Sequence, residues 1–148
     1  MNNKEYAVKI KIIPDSSNER IKESFYVSCL NEIFTSTKSS FHENSIKFYD
    51  ALVFKQHAAD KEKGVDLCYA MIMELGESTL DEDIFYRSKD DKKFTEKEII
   101  DLFKSMVKVL AALQKMNISH RDIKPHNIAK VKDMWKLFDY DASKSFES

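Results

Sequence analysis

The chain has 148 residues, 43% of them hydrophobic and 33% charged, with a formal net charge of −1. That length supports one core, or one lobe and part of another, and the near-zero charge removes any electrostatic case for nucleic acid or an anionic membrane as partner. No apolar window is long enough to span a bilayer, Met1-Asn2-Asn3-Lys4 has no signal-peptide core, and Cys29 and Cys68 lack Cys-x-x-Cys spacing, so a reducing cytoplasmic or nuclear location is expected. Residues 5–13 then read as a strand rich in Val and Ile, ended by Pro14. Alternation puts Tyr6, Val8, Ile10 and Ile12 on one face and Ala7, Lys9 and Lys11 on the other.

Residues 18–37 have a Ser/Asn cap region, an acid in the first turn, and Ile21, Phe25, Cys29 and Glu32 at helical spacing. Glu32 shares an otherwise apolar stripe, where a carboxylate paired with a cleft lysine belongs. Glu23 is a competing candidate, and a merely solvated helix charge is the alternative to both. His42, in the link that follows, reads as a loop-packing residue, because no Cys, His or carboxylate cluster repeats at metal-site spacing. Strands through residues 46–54 and 67–73 flank a polar insert, 55–65, expected to be an exposed hairpin tip. An apolar strand then breaks abruptly at Glu74-Leu75-Gly76-Glu77. A short acidic helix from Asp81 passes into a solvated charge run, Arg87 to Lys93.

The best-specified helix spans 95–116. Thr95 is its N-cap, Glu98 completes a capping box, and Phe94 with Ile99 forms a hydrophobic staple. Its core stripe is expected to be Ile99, Phe103, Met106, Leu110 and Leu113, with Asn117 tolerating a left-handed closing position. Two short strands, 127–131 and 134–138, turn at Lys132-Asp133. Between the helix and these strands lies His120-Arg121-Asp122-Ile123-Lys124-Pro125-His126-Asn127. A proline-stiffened loop of this kind points a carboxylate, an ammonium and an amide oxygen into one small volume. That set suits chemistry on a hydroxyl beside a polyphosphate: a base or orienter, a charge clamp and a metal ligand.

This loop resembles the H-R-D-x-x-x-x-N catalytic loop of eukaryotic protein kinases, with Lys124 as in the Ser/Thr-specific branch. The resemblance implies an α+β, bilobal kinase-like core, with a partial small lobe over 1–75 and a partial helical lobe over 76–148. Within it Asp122 and Lys124 are the expected catalytic residues. Ala7 leaves room for adenine, Lys9 reaches the phosphates, and Glu32 pairs with Lys9. Met73 is the gatekeeper, Glu74 and Leu75 carry the hinge backbone, and Asn127 and Asp139 hold Mg²⁺. ATP and Mg²⁺ are the implied cofactors, with a protein Ser/Thr substrate or a regulatory protein as partner.

Departures from the family pattern qualify that expectation. No G-x-G-x-x-G occurs, only eight residues precede Lys9, and the chain stops shortly after Asp139. The resemblance therefore implies a truncated domain, with weak Mg²⁺-dependent ATP binding and no peptide phosphorylation by the chain alone. A catalytically inactive module that binds nucleotide or a partner protein is the alternative. Ser36 stands where an apolar residue is usual, which is expected to weaken the column that fixes the helix. In Asp139-Tyr140-Asp141 an Asp replaces the Gly of D-F-G. That second carboxylate could act as an outer-sphere ligand, and the loss of Gly freedom would restrict an in/out switch.

Overall fold

Alternating strand sequence becomes a sheet with one covered face. In the computed structural model, which describes residues 4–14, 17–57 and 65–146, β1 (Tyr6–Ile13), β2 (Phe48–His57) and β3 (Val65–Glu74) form an antiparallel sheet in the order β1-β3-β2. Ala7, Lys9 and Lys11 face the half-buried side and pair in register with Met73, Met71 and Tyr69, while Val8, Ile10 and Ile12 are exposed. β2 continues through Lys55 and Gln56, so the polar insert is partly strand; residues 58–64 of the expected tip lie outside the described residues.

Helix α1 (Glu19–Ser39) starts at Asn18, whose side chain accepts from the Ile21 amide. Cys29 packs with Tyr69 and Met71, and Phe25 and Ile33 pack around them. The stripe expected from sequence holds from Phe25 onward, but Ile21 is exposed because the described sheet does not cover the first turn. The buried face continues through Glu32, Thr35, Ser36 and Ser39, which makes it unusually polar toward its C-terminus.

β4 (Ser78–Thr79), β6 (Ile128–Val131) and β7 (Met134–Leu137) form a second sheet in the order β4-β6-β7. Lys132, at φ 56°, makes the tight β6–β7 turn. Helix α2 (Leu80–Lys89) carries a capping box, Thr79 with Glu82, that the sequence reading passed over. The supposed solvated run begins inside α2, where Arg87 forms a two-pronged ion pair with Glu98. Helix α3 (Glu96–Lys115) has the expected Thr95–Glu98 box, and Asn117 closes it at φ 56°.

The core stripe of α3 differs from the expected one. Met106, Val109 and Leu113 are buried against Leu80, Ile118, Ile128, Trp135 and Leu137, with Leu102 and Leu110 alongside. Ile99 and Phe103 are exposed instead. The helix carries two overlapping apolar stripes, and spacings of three and four fit both; only the position of β7 selects one. The two sheets are joined through the segment after α1. Ile46 donates its amide to the Leu137 carbonyl, Leu137 donates to Asn44, and the Asn44 side chain donates to Trp135 O. The last short pair is β5 (Ile118–Ser119) with β8 (Lys144–Ser145).

Candidate active site

Two-residue periodicity places Lys9 on the covered face of β1, and 3.6-residue periodicity places Glu32 on the inner face of α1. Lys9 Nζ lies 2.6 Å from Glu32 Oε1 and 2.7 Å from Asp139 Oδ1. Burial alone would lower the pKa of Lys9, but its bonds to Asp139 and Glu32 outweigh that and hold it above its ordinary value. Glu23, the competing candidate for this pairing, is exposed on the other side of the helix.

A cleft lies between the sheets. Its inner chamber, about 410 Å³, is lined among others by Ala7, Lys9, Glu32, Ser36, Phe138 and Asp139. Its outer chamber, about 310 Å³, shares Ala7, Ile46, Met73 and Phe138 with the inner one and reaches Glu74, Gly76 and Glu77. Leu75 does not line the cleft, and its side chain is exposed. Among the described residues, the Leu75 and Gly76 amides take no main-chain partner, whereas the Glu74 amide donates to Lys47 O. Gly76 matters sterically: a Cβ there would come within 3.0 Å of Ala129 Cβ. Along the chain alone that glycine marks only a break in the strand.

The loop after β5 is held from within. His120 is buried, its Nδ1 accepts the Asp122 amide, and its Nε2–H donates to Phe138 O. Arg121 takes φ 66° and donates from Nε to Ala142 O. Asn127 sits in a 3-10 turn, Pro125–Asn127, and donates Nδ2 to both Asp122 O and Asp122 Oδ2. That leaves Oδ1 as the amide atom free to meet a cation. Lys124 Nζ lies 2.7 Å from Asp122 Oδ2, and this contact, with the Asn127 bond, holds the Asp122 carboxyl below its usual range. At neutral pH Asp122 is a fixed carboxylate, oriented from two sides.

Asp139 adopts φ 62°, a left-handed position that Asp tolerates better than most residues. Asp141 does not take a positive φ, so nothing in this conformation demands the missing glycine. Its carboxylate, expected as an outer-sphere ligand, accepts through Oδ1 from Lys11 Nζ at 2.5 Å and Ser28 Oγ at 2.8 Å. Tyr140 is buried beside His120, with ring centroids 5.0 Å apart. Lys136 is buried yet pairs with Glu74 Oε2 at 2.8 Å, a contact sequence reasoning missed because neither residue carries a periodic signal.

Asn127 and Asp139 offer hard oxygens, and among the described residues no group of three His, Cys, Asp or Glu could cage a metal. Few protein ligands plus substrate phosphates is the usual Mg²⁺ pattern.

A small antiparallel sheet with a lysine–glutamate pair, joined across a cleft to a helix-anchored Asp/Lys/Asn loop, defines the α+β core of a kinase-like domain. The comparisons agree: the protein kinase domain family matches residues 1–148, and the chain belongs to that family. It is 35% identical over 72 residues to MAP kinase-activated protein kinase 2 of Oryctolagus cuniculus, covering 45% of this chain and 20% of that protein. It is also 32% identical over 88 residues to Probable serine/threonine-protein kinase nek3 of Dictyostelium discoideum, covering 59% of this chain. A third match, 41% identical over 46 residues and 31% of this chain, is Probable serine/threonine-protein kinase fhkD of the same organism. The aligned stretches make up only 7% of nek3 and 6% of fhkD, so the chain spans a small part of these relatives. Among the described residues, no helix is long and apolar enough to cross a membrane.

Proposed function

We propose that these residues carry ATP- and Mg²⁺-dependent phosphoryl transfer to Ser or Thr hydroxyls of proteins, with the boundary between its two parts, 1–75 and 76–148, at the hinge. The observation that carries the reading is the pair of clusters, Asp122–Lys124–Asn127 in the loop after β5 and Lys9–Glu32–Asp139 at the inner chamber, with the loop tied by Asn127 O and His120 to Phe138, the residue before Asp139. Asp122 orients and accepts the substrate hydroxyl proton; its fixed carboxylate suits that role. Lys124 neutralises charge on the phosphoryl group in transit. Lys9, held by Glu32, reaches the phosphates, and Ala7 with Met73 and the 74–76 backbone takes the adenine. Asn127 Oδ1 and the Asp139 carboxylate would hold Mg²⁺, which supplies neutralisation of phosphate charge when bound. Such transfer depends on positioning and electrostatics rather than covalent catalysis.

The second reading is a kinase-like module that binds nucleotide or a partner protein without turnover; in either reading a nucleotide has to take Lys9 and Asp139 from each other. Radiolabel transfer from ATP to Ser/Thr peptides by a form extended at both ends, alongside calorimetric Mg²⁺–ATP binding, separates the two. Asp122→Asn should lower transfer by about 10²–10⁴-fold while leaving ATP affinity intact. Asp139→Asn should weaken Mg²⁺–ATP binding itself. Wild-type transfer by Asp122→Asn would sink the catalytic reading, and tight binding with no transfer by the wild type would favour the second.

A further inference from the structure

Beyond the residues assigned above, the segment Asp139-Tyr140-Asp141 is fastened at its far end by a second lysine. Lys11 lies two residues after Lys9 on the same face of β1, so both ammoniums enter the space under α1. Between them sits Glu32, 1% exposed: Oε1 is 2.6 Å from Lys9 Nζ and Oε2 is 2.7 Å from Lys11 Nζ. The Lys11 contact with Oε2 is ionic and lacks hydrogen-bond geometry. Each lysine also holds one carboxylate of the segment, Lys9 with Asp139 and Lys11 with Asp141. Ser28, one turn before Glu32 on α1, donates to the same Asp141 oxygen. Sheet, helix and segment therefore meet in one ladder of alternating charge.

We propose that Lys11, Asp141 and Ser28 are positioning residues that keep α1 and the 139–141 segment in the arrangement where Lys9, Glu32 and Asp139 meet. The physical need follows from Glu32. A buried carboxylate that loses its partner is strongly destabilising. On the nucleotide reading above, on which this step rests, the phosphates compete for Lys9. Lys11 then keeps Glu32 compensated, and its tie to Asp141 keeps Asp139 from swinging out as Lys9 changes partners. The Asp at the D-F-G glycine position becomes a gain of attachment rather than a lost hinge. Burial would lower the Lys11 pKa, but Asp141 and Glu32 more than offset it, so the ammonium stays charged.

The test compares wild type with Lys11→Met, Lys11→Arg, Asp141→Asn and Ser28→Ala by two measurements. In nucleotide-free protein, amide hydrogen exchange should rise about tenfold across α1 and residues 139–143 in Lys11→Met and Asp141→Asn. Ser28→Ala should raise it less, α3 should stay unchanged, and Lys11→Arg should restore protection. Mg²⁺–ATP affinity should fall about tenfold in the same two variants, and the Lys11→Met/Asp141→Asn double variant should lose less than the two losses combined. Exchange within twofold of wild type, or raised equally in α3, would overturn the proposal. If wild type binds no Mg²⁺–ATP, the nucleotide reading fails, while the exchange data still decide whether the fastener exists.

Discussion

Tyr140 Oη lies 2.8 Å from Ser45 Oγ, and the two residues, 95 apart in sequence, are both buried. Ser45 donates onward to Ser39 Oγ, and Ser39 donates to the Ser36 carbonyl, so a run of hydroxyls replaces apolar contact between the segment and α1. Ser36 joins the run through its backbone carbonyl, which any residue at that position would supply. The phenol that stands in place of Phe finds polar partners where an apolar column would offer none.

Deleting either hydroxyl of the Tyr140–Ser45 pair should cost about 1 kcal/mol, and deleting both less than the sum, because the second loss removes a group already unpartnered. Thermal or denaturant unfolding of Tyr140→Phe, Ser45→Ala and the double variant measures the coupling. Strict additivity would show that the hydroxyl contact contributes nothing.

His120 gives a pH dependence of defined sign. Burial pushes its pKa below the ordinary histidine value, and both ring nitrogens are already used, Nδ1 as acceptor and Nε2–H as donor. Protonation would set a donor against the Asp122 amide. The stability that neutral His120 contributes is fully present above the unfolded pKa of about 6.5 and is lost as pH falls through the lower folded value. Denaturant midpoints between pH 7.5 and 5 should fall for wild type and flatten for His120→Phe. Equal slopes would exclude His120 as the source.

Glu98 should titrate far from an ordinary carboxylate. Its bonds to Arg87, then to the Thr95 amide and hydroxyl, depress its pKa to about 2. Being depressed, it adds stability above the unfolded pKa of about 4.3 that disappears as pH falls toward the folded value. Carboxyl NMR should place its midpoint near the low value in wild type and return it toward the ordinary range in Arg87→Ala. A normal midpoint in wild type would contradict the two-pronged pair.

The two faces of α3 should respond unequally. Leu113→Ala, at a fully buried site, should cost about 3 kcal/mol. Phe103→Ser, at a position 64% exposed, should stay within about 0.5 kcal/mol. Comparable losses at both sites would mean that Phe103 is covered in solution.

The sequence by itself determined what depends on neighbours along the chain. Thr95 with Glu98 fixes where α3 begins, and Asn117 fixes where it closes, because caps are satisfied within a few residues. The tight link of Asp122 to Asn127 also lies inside one loop, which is why that constellation was legible without coordinates. Alternation in β1 and periodicity in α1 aimed Lys9 and Glu32 inward, although neither pattern states how far apart they end. The tertiary structure alone decided which of two equivalent stripes α3 buries, since β7 covers one and leaves Phe103 outside. It alone set Asp141 on Lys11, 130 residues away, and Tyr140 on Ser45. Those contacts depend on how β1, α1 and the 139–141 segment dock, and docking distance is written in no local periodicity.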